Sequence, residues 1–136
     1  MPIDDAARDS HWIDARRPLW LAFSELWLDT ELDEKDLERI AAVLAQSGLS
    51  LADLREIYLV EVAPAVHRNL LSSAGAWSGF EEAWLVERIT SNLRDRPRRT
   101  RFLVWFPLTR RMMTYATERH WRRLVEIVGR IRQLAT

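Results

Sequence analysis

Three histidines, His11, His67 and His120, are the side chains of this 136-residue chain best suited to moving protons near neutral pH. They lie far apart and share no metal-ligand spacing such as His-x-x-x-His, so a metal centre would need the fold to gather them around carboxylates. His67 follows Glu61 at short range, just after a proline. A histidine and nearby carboxylates in one pocket would do acid–base work, and an enzyme of this kind would use His67 with Glu61. The chain has no cysteine, hence no thiolate ligand, thiol nucleophile or disulfide. It has no Gly-x-Ser-x-Gly elbow and no glycine-rich phosphate loop with a Walker lysine. The expectation is a protein with no catalytic residues, no cofactor and no metal.

Charge carries more information. Asp29, Glu31, Asp33, Glu34 and Glu38 crowd one short stretch. Such a cluster could raise a carboxyl pKa for general acid work, but an acidic first turn is first of all good electrostatics at the positive end of a helix dipole. Arg94, Arg96, Arg98, Arg99 and Arg101 form the opposite cluster and are the candidates for phosphate contacts. The zero net charge hides this polarity. Residues 1–62 hold 14 acids and 6 bases, or −8, and residues 63–136 hold 6 acids and 14 bases, or +8. A uniformly basic nucleic-acid binder is excluded, and an acidic half would repel a polyanion within a Debye length of about 8 Å.

The elements that must position these groups read as helices. Residues 1–15 are polar and weakly periodic, a flexible arm or a short, poorly held helix. Residues 16–136 then form one helical domain. Leu19, Trp20, Phe23, Leu26 and Trp27 recur at three and four residues and predict a central helix from Arg16 to Asp29, with Pro18 in its first turn. A second helix, from about Asp33 to Ser47, buries Leu37, Ile40, Ala41, Leu44 and Ala45, and Gly48 closes it. Ser50 caps a third, which Pro64 kinks or breaks. Small residues from Ser72 to Gly79 make a loop around Trp77. Helix resumes from Phe80 to about Arg94, and Arg94 to Arg101 reads as an exposed turn. Residues 102–106 fit a buried helical turn or a strand; a lone strand would lack a partner. Thr117 caps a last helix from about Glu118 to Leu134, with Trp121, Leu124, Val125, Val128 and Ile131 inward. The fold class is all-α, a single compact bundle of five to seven helices of unequal length.

Several segments together resemble an uncharacterised bacterial domain family of about this length. They are the run from Trp20 to Leu32, Glu61-Val62-Ala63-Pro64, Asn69-Leu70-Leu71, Ala74 to Phe80 followed by Trp84-Leu85, and Tyr115-Ala116-Thr117 with Trp121. The resemblance covers nearly all of the chain beyond residue 15. It implies a stand-alone bacterial domain and supplies no reaction or catalytic residue.

The expected function is protein binding without catalysis, of the immunity type that neutralises a bacterial toxin by direct contact. Asp29, Glu31, Asp33, Glu34 and Glu38 would imitate substrate phosphates, and Trp77 would add a hot spot. A phosphate or nucleic-acid site at Arg94–Arg101 is the alternative, and the His67 enzyme a third. The opposed halves also allow a homodimer. No apolar run reaches the ~18 residues of a membrane span, and the expected location is the cytoplasm.

Overall fold

The computed structural model describes residues 2–28, 32–66, 82–95, 114–115 and 117–135, excluding the side chains of residues 2–9, 28, 94 and 95. Among these residues the architecture is an all-α bundle without strands. Helix α1 spans Pro2–Leu28, α2 Glu34–Gln46 and α3 Leu51–Glu56. A π-helical turn, Ile57–Val62, continues α3 and leads into helical residues 63–66. Helix α4 spans Glu82–Asp95 and α5 Glu118–Ala135.

Helix α1 begins well before Arg16, inside the stretch read from sequence as an arm. Side-chain contacts accompany the added turns around residues 12 and 13. Trp12 meets Trp20 edge-on at 5.7 Å, and Ile13 packs on the core. Pro18 therefore sits in the helix interior, where it forgoes a backbone bond to Asp14. The later part of α1 is buried nearly all round, with Leu19, Trp20, Phe23, Leu26 and Trp27 inside as their spacing predicts.

Helix α2 starts one residue later than expected because Asp33 is its cap. The Asp33 carboxylate accepts from Asp36 N–H at 2.8 Å, and Asp36 accepts from Asp33 N–H at 3.2 Å, a reciprocal capping box. Leu37, Ile40, Ala41 and Leu44 are buried, Ala45 is half-buried, and Gly48 closes the end at φ +75°. Ser50 caps α3 by accepting from Asp53 N–H.

Pro64 does not break the third helix, which continues through it by way of the π turn. Ahead of Pro64, Ala63 N–H bonds Tyr58 O, the wider i→i+5 spacing of a π turn. Proline offers no N–H to Val60 O, and its ring crowds that carbonyl in a regular α-helix. A widened turn just before it relieves the conflict and lets helix resume. Ile57, Tyr58, Leu59, Glu61 and Val62 are all buried in this turn, which packs on both α1 and α4.

Helices α2 and α5 are parallel neighbours. Arg123 meets Glu34 near their starts, and Arg132 reaches the Leu44 and Ala45 carbonyls near their ends. Trp121, Leu124, Ile127 and Val128 are the buried apolar residues of α5. Val125 and Ile131 are only half-buried, whereas His120 is buried. Thr117 stands at the expected cap position, its carbonyl accepting from Trp121 N–H at 3.0 Å, while its hydroxyl serves other partners. It donates to Thr114 O and accepts from the Tyr58 hydroxyl. Four aromatic rings tie α1, the π turn and α5 together. Tyr58 stacks on Trp121 at 5.2 Å and 6°, and touches Phe23 at 5.6 Å and Trp27 at 5.4 Å.

Candidate functional site

Glu61 is the most constrained ionisable group among the described residues. Its place in the π turn turns the carboxylate towards α1, where Trp20 Nε1 donates to Oε1 at 2.7 Å and Arg16 Nη1 donates to Oε2 at 3.1 Å. The side chains of Arg16 and Glu61 are 24% and 10% exposed, so the pair stands at the inner edge of the surface. The Arg16 guanidinium also lies over the Trp12 ring at 4.4 Å. Burial pushes the Glu61 carboxyl up from the ordinary value, against the opposing pull of Trp20 and Arg16. Such a group can act as an acid, or it can lock α1 onto the π turn. Both oxygens are engaged by protein donors, which favours the lock.

Tyr58 is comparable. Thr117 commits its proton to the Thr114 carbonyl, so the Tyr58 hydroxyl is the donor in their mutual bond. Burial drives this phenol far above its usual range, and it stays neutral. Arg55 lies over Tyr58 at 5.5 Å and Trp121 at 5.3 Å, with Nη1 2.8 Å from Glu118 Oε1.

The acidic cluster is partly consumed by the fold. Asp33, Glu34 and Glu38 are exposed, but Asp33 caps α2 and Glu34 is bound by Arg123 Nε at 2.8 Å and by its Nη2. That arginine holds the Glu34 carboxyl below its ordinary value. Arg39 joins Glu25 at 2.8 Å and lies 3.8 Å from Asp36. Of the acids expected at a partner surface, Glu38 alone among the described ones has neither a capping role nor an ion pair. Asp29, Glu31 and Trp77 lie outside the described residues, as do His67, Arg96, Arg98, Arg99, Arg101 and the stretch 102–106. Arg94 is in the last turn of α4. The remaining histidines stand on different helices, His11 exposed on α1 and His120 buried on α5. Burial, then the charge of Arg119, holds the His120 pKa down.

The geometry thus divides into an inner set of paired polar groups and an outer set of charges on helices α2 and α5. A family model for a domain of unknown function, DUF7079, matches residues 14–127, which takes in both sets from Arg16 to Glu126. The chain belongs to the DUF7079 family. No curated protein and no solved structure matches it. Among the described residues of this DUF7079 domain, no helix is long and apolar enough to cross a membrane.

Sequence reasoning named Glu61 only as a neighbour of His67 and missed its link to Arg16 and Trp20. The separations of 45 and 41 residues leave no local signal. A glutamate inside an apolar run, Ile57 to Val66, was the available hint, because a lone acid there must find donors.

Proposed function

We propose that this DUF7079 domain is a non-catalytic protein-binding domain of the immunity type, which neutralises a toxin by direct contact in the cytoplasm of a bacterium. The observation that carries the reading is the fixed acidic start of α2. Asp33, Glu34 and Glu38 are exposed there on a helix held by a capping box and by Arg123. Carboxylates presented on a rigid element lose little freedom on binding, and they steer a basic partner more than they add raw affinity. The engagement of Glu61 and Tyr58 by neighbouring side chains supports the same reading, since groups so occupied hold structure together.

Calorimetry with the purified product of a toxin-like gene beside this one tests the proposal. Saturable binding is expected, weakened at least tenfold by Glu38→Lys and by added salt. Absence of binding, or binding indifferent to Glu38→Lys, would remove the acidic surface from the account.

A further inference from the structure

Helix α5 has a second face that the acidic reading leaves unused. Arg119, Arg122, Glu126 and Arg130 are exposed and recur at three- and four-residue steps, forming one outward row opposite the buried stripe of Trp121, Leu124 and Val128. At 1.5 Å per residue, Arg119 and Arg130 stand about 16 Å apart along the axis. None of the three arginines has an ion pair among the described residues, whereas Arg123 at the edge of the row is held by Glu34 and Glu126. The row is therefore two cations, one anion and one cation, in that order.

We propose that this row docks an acidic helical segment of a protein partner, with carboxylates facing Arg119, Arg122 and Arg130. The inference rests on the protein-binding reading and adds a second, oppositely charged contact surface to it. Charge complementarity selects the occupant. Arginine presents a planar fork that fits a carboxylate bidentately, and an unpaired arginine keeps that fork available. Glu126 decides between a protein and a nucleic acid. Arg123 holds its Oε2 at 2.8 Å in the middle of the row. A continuous polyanion would lay phosphate against that glutamate. A peptide helix can leave the position neutral or place a lysine there. The i, i+3, i+7, i+11 pattern is also the seam that a second helix presents.

The test uses the full chain and three probes: an alanine-based helical peptide with glutamates at positions 1, 4 and 12 and lysine at 8, the same composition scrambled around the helix, and a short DNA duplex. Backbone amide shifts are followed by nuclear magnetic resonance during titration. The expected result is saturable shifts confined to residues 119–130, an affinity for the patterned peptide at least five times that for the scrambled one, and at least a tenfold loss in the variant carrying Arg119→Glu, Arg122→Glu and Arg130→Glu. These side chains are exposed, so an unchanged melting curve confirms that the variant folds. Equal binding of the scrambled peptide, tighter binding of the duplex, or no response to the charge reversals would overturn the proposal. A toxin-like partner that binds the triple variant as tightly as the parent would sink this surface and leave the protein-binding reading standing. Patterned-peptide binding with no toxin-like partner would do the reverse.

Discussion

Two glutamate–arginine pairs in this molecule use the same chemistry in different surroundings. Glu61 meets Arg16 across α1 and the π turn, with Trp20 as a second donor, at the edge of the core. Glu34 meets Arg123 across α2 and α5 in open solvent. Burial raises the first carboxyl and its arginine partner lowers the second. An ion pair's role follows from its dielectric surroundings more than from its contact distance. The inner pair costs desolvation and in return fixes one arrangement of two helices. The outer pair is screened and adjusts a surface charge.

The strongest way to break the contrast is to remove the inner carboxylate. Glu61→Ala leaves Arg16 and the Trp20 Nε1–H without an acceptor. A loss of about 3 kcal/mol in urea unfolding is expected, the low end for a broken buried pair because Arg16 is partly exposed. Full stability in that variant would mean that Glu61 locks nothing. Asp33→Ala removes one half of the capping box and should cost about 1 kcal/mol, read as a lower urea midpoint at unchanged slope.

Titration sharpens the comparison by sign. The Glu61 pKa is raised on folding, so the protonation-linked part of its stability is fully present below the unfolded value, near 4.5, and is lost as pH rises through the folded pKa, leaving the Arg16 and Trp20 contacts to hold the ionised form. The Glu34 pKa is lowered, so its contribution is present above 4.5 and is lost as pH falls through the folded pKa. Carbon-detected carboxyl titrations should place the two on opposite sides of 4.5. Coincident titrations would erase the distinction. The smallest effect belongs to Glu34→Gln, a slight fall in melting temperature at low salt that vanishes at high salt. A loss that persists at high salt would make the outer pair structural as well.

Much of the fold was legible because helices announce themselves locally. Leu19, Trp20, Phe23, Leu26 and Trp27 repeat at helical spacing, and so do Leu37, Ile40, Ala41 and Leu44; all of them are buried. Gly48 ends its helix for a reason a sequence can express, since a residue without Cβ takes positive φ without strain. The start of α1 was less legible, because Ile13 packs on the core and Arg16 reaches a glutamate 45 residues away, neither of which a local pattern announces. Thr117 was legible as the residue that opens α5, but the use of its hydroxyl was not, since that bonds Tyr58, 59 residues away.

The helical class, the buried stripes and the separation of acidic from basic halves could be read from residue order, because periodicity and charge are properties of neighbouring residues. Tertiary structure alone decided which charges remain outward. Glu34 and Arg123 lie 89 residues apart, and only the parallel packing of α2 on α5 brings them together. The π turn before Pro64 likewise aims Glu61 at α1, since backbone hydrogen-bond register sets a side chain's direction and composition does not.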